Sequence, residues 1–214
     1  MDRKAFREAV ASELEGNLLP FWRERSLDPA GGRFIAEMAN DGTVREDAPR
    51  GLILNSRLLW TFAALYRYLG DGRDLELARR AFEVLESNFR DHRHGGYFWR
   101  VDAEGRPADR IKKTYGQAFC VYALSEYHRA TGDNVAIEAT TEVTKLLDRH
   151  TRDDADGGYV ETCNTDWSPT ADLRLSDRDL VAPRSMNNHL HLLEAFTNLQ
   201  RARASDTNKM RLYE

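Results

Sequence analysis

The sequence predicts an all-α protein built from repeated helical hairpins, and two observations carry that prediction. The first is a glycine pair followed within two residues by an aromatic residue. It occurs three times at nearly equal spacing, at Gly31-Gly32, Gly95-Gly96 and Gly157-Gly158. The second is an alternation between helical patterns with one apolar face and helical patterns that are apolar on most sides. Self-similarity at such a spacing is typical of repeat architectures.

Each glycine pair is predicted to open a short β-hairpin. Glycine takes positive φ at no steric cost, and a turn sequence follows each pair, namely Asp41-Gly42, Asp102-Ala103-Glu104-Gly105 and Asp166-Trp167-Ser168-Pro169. A helical pattern lies on either side of every hairpin, so the repeating unit is helix, hairpin, helix. The hairpins should share one rim of the helical array, where loops can line a pocket.

Outer and inner helices are distinguished by their apolar pattern. The one-sided patterns, typical of half-exposed outer helices, cover residues 3–23, 75–89 and 137–147. The patterns that are apolar on most sides, typical of buried inner helices, cover residues 53–69, 115–127 and 186–199. This alternation describes a toroid or solenoid in which each unit covers its neighbour's face. We expect one domain over residues 1–214, with three repeats of about 63 residues.

Composition and charge exclude several classes of partner. The net charge is −4 with no basic run, so electrostatics does not support binding to nucleic acid or to an anionic membrane. No apolar run is long enough for a membrane span, and the two cysteines, Cys120 and Cys163, are too few for a disulfide framework. We therefore expect a cytoplasmic protein.

The sequence predicts neither a cofactor nor a metal site. Glycine-rich fingerprints for phosphate or dinucleotide binding are missing. Asp91, His92 and His94 are the nearest approach to a metal-binding motif. Two histidines that are two residues apart at a helix end have poor ligand geometry, however, and no further ligand completes the set.

The inner helices can be aligned on similar segments near their ends, at 64–68, 123–127 and 195–199. In that alignment their polar beginnings correspond and follow the hairpin rim. The side chains expected to converge on one mouth are Arg57, Tyr115, Gln117, Asn188, His189 and His191. Polar groups that converge above an apolar floor suit a small polar ligand, and Trp60 could provide a stacking surface for it.

These segments resemble the N-acylglucosamine 2-epimerase and cellobiose 2-epimerase family. The similar segments occur in the family's order along almost the whole chain, and they are residues 56–62, 95–99, 113–119 and 186–195. The resemblance implies an (α/α)6 barrel, of which this chain contains about three of the six helical-hairpin repeats. It also implies a protein that interconverts a reducing-end sugar with its C2 epimer.

The resemblance implies roles for individual residues. In this chemistry a base removes the proton on C2 of the opened sugar, and the enediolate is reprotonated from the other face. A guanidinium suits the oxyanion and a neutral imidazole suits the proton transfers. By resemblance Arg57 contacts the enediolate and His189 is the site histidine. Tyr115 and Asn188 contact the sugar, and His191 supports the site from a different face of the same helix. From their positions in the sequence, Gln117 and Trp60 are further candidates for substrate binding.

Family members carry six repeats, and the resemblance places their two acid and base histidines in the second half. We therefore expect one of three arrangements: a fragment of a longer polypeptide, a chain that pairs with a separate second half, or a homodimer that closes the ring. The segment from Asp206 onward corresponds to the start of a fourth unit.

Two other functions stay open. An aldose–ketose isomerase shares the enediolate and differs only in the carbon that receives the proton. A non-catalytic carbohydrate-binding or assembly piece would use the same surface without proton transfer. Taken without the family, Arg57 could pair with a neighbouring carboxylate, and both histidines could be satisfied structural residues.

Overall fold

The computed structural model describes residues 2–28, 32–174 and 182–213. Gly31, the first glycine of the first predicted pair, and the C-terminal Glu214 lie outside the described residues. By their internal contacts, the residues fall into two compact units, Met1–Glu46 and Asp47–Glu214.

The first unit contains the first predicted outer helix. It forms α1 (Arg3–Glu13), a π-helical turn (Leu14–Leu18) and α2 (Leu19–Arg25). One bridge joins Leu27 to Phe34, and a second joins Met38 to Val44 around Asp41-Gly42. Gly42 has a φ of +88°, which explains the glycine at this turn.

The second unit contains three inner helices that lie side by side: α3 (Leu52–Leu69), α5 (Thr114–Thr131) and α7 (Met186–Ala202). Helix α5 lies between the other two and packs against both. The outer helices are α4 (Gly72–Val84), which packs on α3 and continues as a π-helical turn (Leu85–Phe89), and α6 (Asn134–His150), which packs on α5. Helix α8 (Asp206–Met210) and a 3-10 turn (Arg211–Tyr213) follow α7.

Tight caps reverse the chain between inner and outer helices. Gly70 ends α3 and Gly132 ends α5, each with a left-handed φ, of 73° and 74°. The next residue in each case, Asp71 or Asp133, caps the following outer helix by accepting a hydrogen bond from the backbone N–H two residues on. These two-residue connections hold each pair of helices antiparallel.

The burial of the inner helices follows the prediction for α3 and α5 but only partly for α7. Leu59 and Phe62 of α3 and Leu124 of α5 are fully buried, whereas Leu190 and Leu193 of α7 are 50% and 49% exposed. In the described chain, the elements that pack on α7 are α5, α8 and the 3-10 turn, and they leave that face uncovered.

The predicted hairpins are present at the starts of the inner helices, with very short strands. Strands β1 (Arg50–Gly51), β2 (Arg100–Val101) and β3 (Pro107–Asp109) form one antiparallel sheet in that order. Strands β4 (Lys112–Lys113) and β5 (Thr162–Cys163) form another. The strand before each of α3 and α5 thus pairs with the hairpin of the following repeat.

The structure corrects the predicted alignment of the first inner helix by about one helical turn. The cap glycines Gly70 and Gly132 occupy equivalent positions, so the residue equivalent to Ala64 is Glu126 and not Ala123. Between α5 and α7 the register is set by Lys112 and Arg184, because each donates to the first carbonyl of its glycine pair. An apolar helical pattern is nearly unchanged by a slip of about one turn, so the sequence alone did not fix this register.

Candidate functional site

With the corrected register, Arg57, Phe119 and His191 occupy one equivalent position on the three inner helices. They also form one layer of contacts. The Arg57 guanidinium carbon lies 4.8 Å from the centre of the Phe119 ring, and the His191 ring centre lies 4.7 Å from that of Phe119. Among the described residues Arg57 has no carboxylate partner, and its side chain is exposed. A guanidinium stacked on an aromatic ring is held in place while its N–H groups stay available to a ligand.

Tyr115 lies one turn before Phe119 and extends this surface towards the rim. Its ring meets the edge of His191 at 4.9 Å between ring centres, in a T-shaped arrangement. The equivalent residue on α7 is Asn187, which is exposed. Residues four apart lie on the same helix face, so Asn187 shares a face with His191. Asn187 was not among the residues predicted from the sequence, although its spacing from His191 is the signal that indicates it.

His191 is held by a carboxylate on its own helix. Its Nδ1 lies 2.8 Å from Oε2 of Glu194. In the neutral ring, Nδ1–H donates to this carboxylate, so the free electron pair lies on Nε2. This partner orients the ring of His191, which contacts Tyr115 and Phe119 of α5.

The next layer is formed by Trp60, Tyr122 and Glu194. The Trp60 and Tyr122 rings stack at 5.1 Å between centres. Burial, followed by the charges of Glu194 and Glu126, raises the pKa of Tyr122, so its hydroxyl stays protonated. This layer borders a cleft of about 530 Å³, whose remaining lining residues are Ala64, Arg67, Glu126, Arg129, Leu193, Thr197, Asn198 and Arg201.

Ion pairs fix the far end of the cleft. Glu126 is almost fully buried and accepts hydrogen bonds from Arg67 and, at 2.7 Å, from Arg129. Arg129 also donates to Asn198 at 2.8 Å. These contacts tie α3, α5 and α7 together at their carboxyl-terminal ends.

Three of the predicted site residues do not join this surface. The side-chain amide of Gln117 is fully buried and bonded to the backbone of Tyr97, and Asn188 is fully buried as well. Both ring nitrogens of His189 face backbone groups, the carbonyl of Ser185 at 2.8 Å and the N–H of Tyr159 at 3.0 Å. His191, and not His189, contacts Phe119, the residue on which Arg57 stacks.

Asp91, the carboxylate considered for a metal site, has other partners. Asp91 forms an ion pair with the buried Lys112 at 2.7 Å, and its other oxygen accepts the N–H groups of Arg93 and His94. Over the described part of the chain, no cluster of three His, Cys, Asp or Glu side chains could hold a metal ion.

The described helices also lack a membrane span. Within residues 2–28, 32–174 and 182–213, no helix combines the length and the apolar character needed to cross a bilayer.

Paired inner and outer helices, with aromatic and polar side chains on the inner face, define a protein of the (α/α)6 toroid class. The sequence model of the N-acylglucosamine 2-epimerase family matches residues 32–211. The chain belongs to this family.

Relatives within the family are similar along most of this chain. A cellobiose 2-epimerase of Bacteroides fragilis is 38% identical over 195 residues, which cover 91% of this chain and 50% of that protein. The human N-acylglucosamine 2-epimerase is 27% identical over 150 residues, covering 68% of this chain and 34% of that protein. The chain spans about half the length of the cellobiose 2-epimerases it matches.

A solved structure confirms the fold class. The cellobiose 2-epimerase from Bacillus thermoamylovorans B4167 superposes with a TM-score of 0.93 at 35% identity, covering 98% of this chain and 54% of that one.

Proposed function

We propose that this chain provides one half of the active site of a carbohydrate 2-epimerase that acts on a reducing-end sugar. The observation that carries the proposal is the contact layer of Arg57, Phe119 and His191, with Tyr115 beside it. The names of the similar proteins support the same class of substrate, a cellobiose-type or N-acylglucosamine-type sugar.

Arg57 is proposed to bind the oxygens on C1 and C2 of the opened sugar. Removal of the C2 proton next to the C1 aldehyde places negative charge on these oxygens. A guanidinium without a carboxylate partner in the described chain can stabilise that charge with paired N–H donors. The Tyr115 hydroxyl and the Asn187 amide supply further hydrogen bonds to sugar hydroxyls.

His191, rather than His189, is proposed as the site histidine. Its Nε2 carries the electron pair because Nδ1–H donates to Glu194. This nitrogen can take the C2 proton from one face of the sugar, and Glu194 stabilises the imidazolium that results. Epimerisation then requires a proton donor on the opposite face of the enediolate.

We propose that the opposite face is supplied by a second helical half. That half is a further segment of a longer polypeptide, a separate chain or a second copy of this chain. Support comes from the exposed leucines of α7, Leu190 and Leu193, which lie on the same helix as His191. An uncovered apolar surface of this kind favours association.

The test is incubation of the chain assembled with its second half with cellobiose, mannose and N-acetylmannosamine in deuterated water, followed by NMR. Deuterium at C2 together with the C2 epimer is the expected result. A ketose product would replace the proposal with an aldose–ketose isomerase. Binding without exchange would replace it with a non-catalytic carbohydrate-binding role.

A further inference from the structure

The tyrosines that follow the second and third glycine pairs make similar hydrogen bonds through their hydroxyl groups. Tyr97 and Tyr159 are both nearly fully buried. The Tyr97 hydroxyl donates to Glu86 in the π-helical turn after α4, and the Tyr159 hydroxyl donates to Asp148 of α6 at 3.4 Å. The interval along the chain from Glu86 to Asp148 equals that between the two tyrosines, so these contacts belong to the repeat.

The backbone of Tyr97 is held by one side chain of the inner helix α5. Oε1 of Gln117 accepts the Tyr97 N–H at 3.0 Å, and Nε2 of Gln117 donates to the Tyr97 carbonyl at 2.8 Å. A single carboxamide therefore satisfies both backbone groups of this residue.

In the third repeat, two neighbouring side chains of α7 divide the same task. Nε2 of His189 accepts the Tyr159 N–H at 3.0 Å, and Nδ2 of Asn188 lies 3.5 Å from the Tyr159 carbonyl. His189 follows Gln117 by the same interval that separates Arg184 from Lys112, so the two side chains occupy equivalent positions.

We infer that His189 is a positioning residue that anchors the third glycine turn to the start of α7. Its imidazole nitrogen accepts the hydrogen bond that the amide oxygen of Gln117 accepts in the second repeat. The tautomer follows from its partners. Nδ1–H donates to the Ser185 carbonyl at 2.8 Å, which leaves Nε2 as the acceptor. A protonated ring would point an N–H at the Tyr159 N–H, so the anchor requires the neutral ring.

The second glycine of the second and third pairs fits this arrangement. A Cβ on Gly96 would lie 2.8 Å from Oε1 of Gln117, and a Cβ on Gly158 would lie 2.4 Å from Nε2 of His189. The acceptor atom thus occupies the space that a side chain would need. Because His189 and His191 lie on the same helix, this anchor also fixes the distance of His191 from the rim. The inference stands whether or not the chain is an epimerase.

The test uses the intact chain and amide hydrogen exchange at Tyr159 and Tyr97. We expect His189→Ala to accelerate exchange at Tyr159 by about tenfold or more, since one buried hydrogen bond is lost. His189→Gln is expected to restore protection because it recreates the acceptor of Gln117. The matched control Gln117→Ala should expose the Tyr97 amide and leave Tyr159 protected.

Unchanged Tyr159 exchange in His189→Ala, or failure of His189→Gln to restore it, would overturn the inference. If His189→Ala does not fold, the tautomer of His189 is measured in the wild-type protein from the NMR chemical shifts of its imidazole nitrogens. A proton on Nδ1 of His189 and none on Nε2 is expected. The opposite tautomer, or a doubly protonated ring at neutral pH, would refute the inference.

Discussion

The imidazole of His191 and the carboxylate of Glu194 form a hydrogen-bonded pair within one turn of α7, with 2.8 Å between Nδ1 and Oε2. His191 also contacts Tyr115 and Phe119 of the neighbouring inner helix. The pair therefore combines an oriented proton acceptor with a fixed position on the inner wall, and the proposed chemistry depends on it.

Replacing His191 with alanine is expected to lower kcat/KM by about 10²- to 10⁴-fold, the usual contribution of a general acid or base. Glu194→Gln should cause a smaller loss and change the pH profile, since the amide no longer stabilises an imidazolium. Kinetics of C2 deuterium exchange measure both effects. His92→Ala, at an exposed rim histidine, is the matched control. Full activity in His191→Ala would remove this residue from the site.

Replacing Arg57 with alanine is expected to abolish turnover while the fold survives, because the side chain is exposed and contacts Phe119 from the outside. Arg57→Lys should restore little activity, since an ammonium lacks the paired donors of a guanidinium. Steady-state kinetics measure the loss of turnover, and circular dichroism checks that the fold survives. Arg149→Ala, on the exposed face of α6, should behave as wild type. Normal kinetics in Arg57→Ala would refute the assignment.

The glycine pair of the third repeat offers a stability test with an internal control. Gly157 and Gly158 have φ values of +76° and +77°, so alanine at either position is strained by about 1–3 kcal/mol. Only at Gly158 would the new Cβ also meet His189, whereas nothing lies within 4 Å at Gly157. We expect Gly158→Ala to cost at least about 1 kcal/mol more than Gly157→Ala in urea unfolding. Equal losses would contradict a close approach of His189.

The buried ion pair beneath the second glycine turn should make a large contribution to stability. Lys112 and Asp91 are 0% and 3% exposed, and Lys112→Ala leaves the carboxylate buried without its partner. We expect a loss of about 3–5 kcal/mol in the free energy of unfolding. Arg106→Ala, which breaks an exposed pair with Asp102, should hardly change the midpoint of unfolding. Similar midpoints for both variants would contradict the prediction.

The same pair gives stability a defined dependence on acid pH. Burial alone would raise the pKa of Asp91, but hydrogen bonds from Lys112 and from the His94 and Arg93 N–H groups outweigh it and lower the pKa below 3.8. The carboxylate therefore contributes stability above its unfolded pKa, and this contribution is lost as pH falls through the lower folded value. Urea unfolding between about pH 5 and pH 2 should show a shallower decline in Lys112→Ala. If the free energy of unfolding depends on pH in the same way in Lys112→Ala and in the wild type, Asp91 does not cause the decline at acid pH.

The cysteines are expected to be unreactive in the folded protein. Burial raises the pKa of Cys120 to about 12 and that of Cys163 to about 11. At pH 8 the thiolate form is then about one part in a thousand or less, so a thiol-specific reagent should react slowly. Both thiols should react at once in urea. Rapid labelling of the native chain would show that one of them is accessible.

Much of the fold could be predicted because it depends on local chemistry. The glycine pairs favoured positive φ, and the apolar patterns separated α3 and α5 from α4 and α6. The exposure of Leu190 and Leu193 could not be predicted, since an apolar pattern says that a surface can be buried and not what buries it.

The candidate site was predicted in part. Arg57, Tyr115 and His191 were named from the sequence and lie together, whereas Gln117 and His189 were named and lie against the backbone of the glycine turns. Residues two apart on a helix point about 200° away from each other, so His189 and His191 could not both face the same wall. The sequence held no signal for which of the two histidines faces the wall that contains Arg57.

The sequence by itself determined the repeat, the sites of the turns and the helices, and the set of side chains available for sugar chemistry, because these follow from glycine conformation and from periodicity. Only the tertiary structure decided the register of one inner helix against the next, and with it the layer that joins Arg57, Phe119 and His191. A shift of about one turn leaves the apolar pattern intact, and only packing between helices distinguishes the two registers.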